Sequence, residues 1–334
     1  MVSGYRNRGE RRTVVCPFDR QVIATVELCD LEGIELALSQ AYSLFRERKR
    51  WLPLPRRIEI LRKTAELMTA QADDLAMLIA SEGGKPLTDA KVEVARAIDG
   101  VIHCTELLRS SAGRVIPMDV NAASSQRVAF TRHEPVGVVV AVSAFNHPLN
   151  LIVHQVAPAV AAGCPFIVKP ASDTPLSCLR FVALLREAGL PEVAGQVTVT
   201  AHADVATALV TDSRVGFFSF IGSAEVGWNL RAQLAPGTRC ALEHGGVAPV
   251  IVAADADLDA AVAKLCKGSF YHAGQVCVSV QRIFAHRSVA EALAQKLAGA
   301  AAALRVGDSR LPDTDVGPLI RPQEVDRVDA CVRE

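Results

Sequence analysis

The feature that most constrains the fold is the regular alternation of strand-like and helix-like segments from Val136 onward. Residues 136–142 form a nearly continuous run of β-branched residues, which is typical of a strand buried on both faces. From there to residue 242, short apolar runs alternate with amphipathic segments. This βαβ pattern predicts the α/β class, with a Rossmann-like, doubly wound parallel sheet whose ligand lies at the carboxyl ends of the strands.

The first part of the chain has a different pattern. Residues 13–27 alternate as one or two short strands, and residues 30–48 have helical periodicity behind a capping Asp30. Residues 56–80 predict a second amphipathic helix, which ends in the turn of residues 82–86, and residues 93–112 predict a third. Residues 126–132 alternate again and predict a strand.

Composition excludes several classes of protein. The chain of 334 residues carries 36 basic and 36 acidic side chains, which argues against an electrostatic nucleic-acid binder. Its nine cysteines include no C-x-x-C pair, a spacing that suits neither a zinc site nor a disulfide scaffold and predicts reduced thiols. Residues 151–168 are apolar but too interrupted to cross a membrane. We therefore expect a cytoplasmic protein with no metal, nucleic-acid or membrane partner.

The stretch around Cys277 is the strongest candidate for chemistry. Ala273, Gly274 and Gln275 form a small, flexible approach to the thiol, and a β-rich run follows at residues 278–284. A cysteine between a turn and the start of a strand has a rigid position and an exposed backbone N–H, as a thiol nucleophile requires. A lone cysteine is more often a buried, inert side chain, so the interpretation depends on partners elsewhere.

Three polar residues follow predicted strands and are candidate partners. Asn146 can donate to a developing oxyanion, or can simply cap the helix that begins near Pro148. Lys169 can reach ribose hydroxyls or a phosphate, or can be a solvated surface lysine. Glu243, directly before a glycine pair, can act as a general base towards water, or can be an ordinary exposed acid.

A fourth candidate is the turn that begins at Gly222. The sequence Gly222-Ser223-x-x-x-Gly227 lies between a predicted strand and a predicted helix. Small residues there let a phosphate approach the N–H groups and the positive dipole end of the helix. The alternative is a simple connection between strand and helix.

Together and in this order, these motifs resemble the aldehyde dehydrogenase superfamily, and the resemblance covers nearly the whole chain. The chain is similar to the branch of this superfamily that contains lactaldehyde and related small-aldehyde dehydrogenases. The motifs that carry it are Lys169-Pro170, Gly222-Ser223-x-x-x-Gly227, Leu242-Glu243-x-Gly245-Gly246, Gly274-Gln275-x-Cys277 and Asp315-Val316-Gly317-Pro318-Leu319.

The resemblance implies oxidation of a small aldehyde to a carboxylic acid with NAD or NADP. Cys277 would attack the aldehyde, and Asn146 would hold the oxyanion of the thiohemiacetal. After hydride transfer to the nicotinamide, Glu243 would activate water to hydrolyse the thioester. The resemblance also assigns Lys169 to the adenosine ribose, and Gly222, Ser223 and Gly227 to the pyrophosphate.

The resemblance further implies two domains. Residues 1–244 would bind NAD(P), with 121–135 as a candidate bridging or oligomerisation strand, and residues 245–334 would form an α/β catalytic domain. Family chains usually continue further, so we expect a C-terminally incomplete catalytic domain. A complete family chain would form a homo-oligomer, which we do not expect of this one.

Two alternatives to an active dehydrogenase remain open. The chain can be an inactive fragment or partner subunit, or it can be a cysteine hydrolase that uses His272 with Cys277.

Ser172 departs from the family pattern. Many NAD-preferring members have glutamate three residues after the lysine, whereas this chain has serine. A carboxylate there would bind ribose hydroxyls and repel a 2′-phosphate, so Ser172 predicts that NADP is tolerated or preferred. His244, beside Glu243, is a second departure, for which we expect a packing role.

Overall fold

The computed structural model describes residues 1–6 and 9–333. The strands are β1 (Arg11–Val15), β2 (Val22–Glu27), β3 (Val115–Ile116), β4 (Ala129–Phe130), β5 (Val138–Val142), β6 (Phe166–Lys169), β7 (Gly195–Val197), β8 (Val215–Gly222), β9 (Arg239–His244), β10 (Val250–Val252) and β11 (Ile283–Ala285). The helices are α1 (Leu31–Arg46), α2 (Leu54–Ala70), α3 (Ala72–Gly83), α4 (Leu87–Ser110), α5 (Asn150–Ala162), α6 (Leu176–Glu187), α7 (Ala203–Thr211), α8 (Ala224–Ala232), α9 (Leu258–Phe270), α10 (Ala290–Ala302) and α11 (Pro322–Arg333).

A five-stranded parallel sheet forms the centre of the molecule, in the strand order β7-β6-β5-β8-β9. The order reverses at β5, so the chain winds outward on both sides of this strand. The predicted α/β class with a doubly wound parallel sheet is confirmed.

Alternation along β5 explains why helices cover both faces of the sheet. Val139 and Ala141 belong to the larger apolar core, which also takes side chains from α2 to α6. Val138 and Val140 point to the opposite face, into a second core with α1 and α7. Successive side chains of a strand face opposite ways, so an uninterrupted apolar run requires cover on both faces.

The prediction of one continuous helix over residues 56–80 is wrong, because two helices, α2 and α3, cover this segment. Gln71 has non-helical backbone angles, φ −118° and ψ 23°, and separates α2 from α3. Asp73 and Asp74 lie in the first turn of α3, where carboxylates stabilise a helix N-terminus. The chain can therefore end one helix and begin another while both keep buried apolar side chains.

The strand predicted for residues 126–132 is reduced to β4. It pairs with β3 in an antiparallel ribbon of two residues on each side. Val128 and Phe130 are 86% and 72% exposed, so this ribbon has no apolar layer to lengthen it. The bridging or oligomerisation role of residues 121–135 remains a prediction.

A smaller unit contains β10, β11, α9 and α10. The two strands pair in parallel, and Val252, Val262, Leu265 and Leu293 form the buried core beneath them. The segment that follows returns to the first part of the chain, where the Ser309 hydroxyl donates to the Ala80 carbonyl at 2.8 Å. The proposed division at residues 244 and 245 falls between β9 and β10 and remains a prediction.

None of the helices in the described ranges is both long enough and apolar enough to cross a membrane.

Glu82 is a fully buried carboxylate that caps α6. It accepts from the backbone N–H groups of Leu176 and Ser177 at 2.7 and 2.8 Å, and from the Ser177 hydroxyl. Burial outweighs these donors and raises the pKa of Glu82 from 4.5 to about 7.

This shift predicts a pH-dependent contribution to stability. Between pH 4.5 and 7 the folded state holds a proton on Glu82 that the unfolded state releases, so its contribution to the unfolding free energy falls as the pH rises. Comparing wild type with Glu82→Gln by urea denaturation from pH 5 to 8, we expect the difference in unfolding free energy to change by about 3 kcal/mol. Glu187→Gln, which changes an exposed acid on α6, is the control, and equal slopes in all three proteins would contradict the assignment.

Candidate active site

The loop that carries Cys277 begins with an unusual backbone. After α9 ends, the turn Tyr271–Gly274 contains three successive residues with positive φ, which are 49° at His272, 55° at Ala273 and 74° at Gly274. A left-handed conformation costs a non-glycine residue about 1–2 kcal/mol. Nearby hydrogen bonds hold the turn, since the Gln275 N–H donates to the His272 carbonyl at 3.1 Å. The loop predicted as flexible is therefore a defined, strained turn.

Cys277 follows this run as an exposed thiol. The prediction that it lies at the start of a strand is wrong, because β11 begins only at Ile283. The reason is that the next backbone N–H groups bind elsewhere, that of Ser279 to Val276 at 3.0 Å and that of Val280 to Gly268 at 3.1 Å. A turn therefore holds the thiol.

Asn146 binds the same loop. Its side-chain amide donates to the carbonyl of Gln275 at 2.8 Å, two residues before Cys277. An amide carries two N–H groups, so one of them is still available to another acceptor. The interpretation of Asn146 as a helix cap does not hold, because α5 begins after Leu149 with no side-chain cap from the residue at its N-cap position.

Glu243 lies near the end of β9 with an exposed side chain. Its carboxylate makes no hydrogen bond or ion pair with any residue in the described ranges, and its negative charge raises the pKa of His154 against the larger, opposing effect of burial. Gly246, in the glycine pair that follows, approaches the thiol loop closely. A Cβ on Gly246 would lie 3.1 Å from the Cys277 carbonyl, so the absence of a side chain permits this contact.

His244 has the packing role that the sequence suggested. Its ring contacts Trp228 and Phe220 edge-on, at centroid distances of 5.3 and 6.2 Å. A Cβ on Gly227 would lie 2.5 Å from the His244 Nε2 atom. Gly227 is therefore needed to admit the imidazole between α8 and the sheet.

Lys169 and Ser172 lie together at the carboxyl end of β6. The Lys169 ammonium donates to the Pro170 carbonyl at 3.3 Å, which uses one of its three donors. Burial, and then the nearby Arg12, lower the pKa of Lys169. Ser172 lines a cleft with Arg12 and Arg20.

The turn from Gly222 delivers the N-terminus of α8 to the same edge of the sheet. Ser223 caps this helix, with its hydroxyl accepting from the Val226 N–H at 3.4 Å. The N–H groups of Ala224 and Glu225 donate to no acceptor in the described part of the chain. Two backbone donors are thus available at the positive end of the helix dipole.

Sequence reasoning missed a buried charged cluster beneath Asn146. Lys85 and Glu93 are fully buried and form an ion pair, and the Lys85 ammonium also contacts the His147 Nδ1 atom at 2.8 Å. The available signal was an acid on an apolar helix face, since Glu93 lies beside Val94 and one turn after the buried Ala90. Charged residues are rarely fully buried unless paired.

Comparison with known proteins identifies the family. The profile of the aldehyde dehydrogenase family matches residues 5–334. The chain belongs to this family. The strand order, the exposed thiol and the polar groups around it all fall within the matched region.

Individual relatives cover almost all of this chain. It is 35% identical over 320 residues to the aldehyde-dehydrogenase-like protein y4uC of Sinorhizobium fredii, spanning 95% of this chain and 62% of the relative. It is 35% identical over 329 residues to the lactaldehyde dehydrogenase of Methanocaldococcus jannaschii, spanning 97% and 69%. The crystal structure of glyceraldehyde-3-phosphate dehydrogenase GapN from the same organism, complexed with NADP, superposes with a TM-score of 0.91 at 35% identity, covering 96% of this chain and 70% of that one. The chain thus spans about two thirds of the length of these relatives.

The left-handed run predicts the effect of one substitution. In Gly274→Ala the new Cβ would meet the Ser269 carbonyl at 3.4 Å and the Ser279 hydroxyl at 3.7 Å, which are ordinary contacts. Backbone strain should therefore dominate and lower the unfolding free energy by about 1 kcal/mol. The matched control is Gly299→Ala in α10, where a Cβ meets nothing within 4 Å and should stabilise by about 0.5–1 kcal/mol. Urea denaturation measures both, and a stabilised Gly274→Ala variant would disprove the left-handed conformation.

Proposed function

We propose that this chain oxidises a small aldehyde to a carboxylic acid with NAD or NADP, using Cys277 as the nucleophile. The observation that carries the proposal is the 2.8 Å hydrogen bond from Asn146 to the carbonyl of Gln275. It joins an amide donor to the loop that presents an exposed thiol. A nucleophile and an oxyanion donor held by one contact are what acyl-transfer chemistry at a thiol requires.

The first step takes place at Cys277. Its thiolate adds to the aldehyde carbon, a C–S bond forms, and the carbonyl oxygen becomes an oxyanion. The second N–H group of Asn146 and the backbone N–H of Cys277 donate to that oxygen. Covalent attachment fixes the carbon in one orientation. The entropy of positioning the aldehyde is therefore lost when the C–S bond forms, and not in the later hydride-transfer step.

The residues at the carboxyl edge of the sheet fit a dinucleotide. Lys169 has donors left over for ribose hydroxyls, and burial lowers its pKa, so a polar partner would favour its charged form. The two available N–H groups at the start of α8, which Ser223 caps, suit a pyrophosphate. The space beside Gly222 and Gly227 is instead filled by Phe220 and His244. A bound nicotinamide would supply the hydride acceptor, and loss of that hydride from the thiohemiacetal carbon would leave a thioester on Cys277.

Glu243 completes the cycle. An exposed carboxylate at the end of β9 has access to water, and Gly246, three residues later, lies against the Cys277 main chain. It would take a proton from water as the hydroxyl adds to the thioester carbon, and the C–S bond then breaks to release the acid and the thiolate.

The substrate is proposed to be a small aldehyde, preferably with an anionic group. No arginine lies in residues 269–276, but Arg96 on α4 is close enough for its charge to lower the pKa of both His154 and Tyr271. Burial is the larger effect on each of these side chains, lowering the pKa of His154 and raising that of Tyr271. Arg96 forms no ion pair with any residue of the described ranges, and its guanidinium suits a carboxylate or phosphate.

A cysteine hydrolase that uses His272 is less well supported. The His272 ring is fully buried, and burial lowers its pKa well below 6.5. Neither ring nitrogen has a hydrogen-bond partner in the part of the chain that the structure describes. A buried, unoriented imidazole is poorly suited to activate a thiol that faces solvent.

The proposed roles predict two distinct defects. With NAD or NADP and a panel of lactaldehyde, glyceraldehyde 3-phosphate and uncharged aldehydes, the parent chain should raise the absorbance of reduced cofactor. Cys277→Ala should abolish this signal, because no covalent adduct can form. Glu243→Gln should give one turnover and accumulate an acyl-enzyme, detected by intact-protein mass spectrometry. Cys331→Ala removes the other exposed cysteine and should behave as the parent.

No signal from the parent would favour an inactive partner subunit, and normal turnover in Glu243→Gln would refute the role of Glu243 as the base.

Cofactor preference gives a separate prediction. Ser172→Glu places a carboxylate in the cleft that also contains Arg12 and Arg20, where it should repel a 2′-phosphate and bind ribose hydroxyls. The ratio of the NADP to the NAD dissociation constant, measured by calorimetry, should rise by about tenfold or more. Ser125→Glu adds the same charge to the exposed 121–135 segment and should leave the ratio unchanged. The proposal is wrong if the parent binds NADP more than about tenfold more weakly than NAD.

A further inference from the structure

The cluster of Lys85, Glu93 and His147 packs against Tyr271, where the thiol loop begins, and has no role in the chemistry proposed above. Both members of the ion pair have 0% of their side chain exposed. The Lys85 ammonium contacts a Glu93 carboxylate oxygen and, at 2.8 Å, the His147 ring. Burial alone would raise the pKa of Glu93, but its ion pair with Lys85 and its contact with His147 outweigh burial and hold the pKa at about 2. The carboxylate is therefore ionised at neutral pH.

The second carboxylate oxygen of Glu93 caps α5. It accepts from the backbone N–H groups of Leu149 and Asn150, each at 3.0 Å. These are the first donors of the helix, which otherwise lacks a side-chain cap. A negative charge at this position also interacts favourably with the helix dipole. A residue of α4 thus fixes where α5 begins.

The cluster contacts both sides of the thiol loop. His147 is covalently next to Asn146, whose amide binds the Gln275 carbonyl. On the other side, the Tyr271 ring stacks on His147 with a centroid distance of 6.1 Å and lies 5.9 Å from the Lys85 ammonium. Tyr271 is the residue that begins the strained turn. The start of the loop at Tyr271 and its middle at Gln275 are therefore both linked to the same buried charges.

We propose that Lys85 and Glu93 are positioning residues that hold Asn146 and the Cys277 loop in their mutual geometry. The catalytic meaning rests on the proposed function, whereas the mechanical link does not. Two fully buried charges are an expensive way to stabilise a core, because an apolar pair of similar volume is often as stable or more stable. Their hydrogen bonds instead point at the few groups next to Asn146, which is what positioning requires.

The test is hydrogen–deuterium exchange measured by mass spectrometry on the 334-residue chain. In Glu93→Gln and in Lys85→Met, we expect exchange to rise by about tenfold or more in two separate segments, residues 145–151 and residues 271–279. The matched control is Lys91→Met, which breaks the exposed Lys91–Asp73 ion pair of 3.0 Å that also involves α4. It should change neither segment.

Each outcome decides between positioning and plain stability. Faster exchange in both segments, with the remaining sheet unchanged, supports the proposal. A change confined to residues 145–151, or one spread evenly over the chain, overturns it. If one variant fails to fold, the other carries the test, and if both fail to fold the pair is a core element and the proposal is refuted.

Kinetics add a readout that a purely structural role would not move. Where the parent oxidises an aldehyde, Glu93→Gln should lower kcat by about tenfold or more and leave KM for the cofactor within about twofold, because Lys169 and α8 are untouched. A rise in KM for the cofactor by the same factor as the fall in kcat would refute the positioning role. If the variants exchange faster in both segments but the parent oxidises no aldehyde, the mechanical link is supported and the proposed function is refuted.

Discussion

The buried carboxylate of Glu93 is the interaction on which the rest of the site depends. An ionised acid in an apolar core must have its charge and lone pairs satisfied, and here Lys85 and the first two N–H groups of α5 satisfy them. This requirement sets the start of α5 at Asn150, after the connection of residues 143–149 from β5. The short turn between them then has little freedom, and it carries Asn146.

Three distant parts of the chain meet where the central strands end. The turn after β5 contributes Asn146, the strained turn after α9 contributes Cys277, and β9 contributes Glu243. Parallel strands bring their carboxyl ends to one edge, so residues far apart in sequence become neighbours without long loops. Gly246, three residues after Glu243, lets the main chain of the third segment touch that of the second.

Much of this arrangement could be predicted from the sequence, and the failures have physical causes. The apolar alternation around β5 fixes a doubly wound sheet, and the polar residues at strand ends follow from it. The break at Gln71 left no proline or glycine to mark it, because a single non-helical residue suffices. The strand expected at Cys277 failed because its β-prone residues bind the carbonyls of α9 and its own turn, a tertiary choice that propensity does not contain.

The Lys85–Glu93 pair was missed for a related reason, since a helix pattern shows which face is apolar but not which charge can be satisfied inside it.

The left-handed turn before Cys277 limits which amino-acid substitutions this loop tolerates. At His272 and Ala273 the positive φ places any side chain close to the neighbouring carbonyl, and a β-branched residue would clash most. Glycine, asparagine and aspartate adopt this left-handed conformation at the lowest energetic cost. The thiol is thus preceded by two positions where backbone shape, rather than chemistry, restricts the amino acids that evolution or an engineer can use.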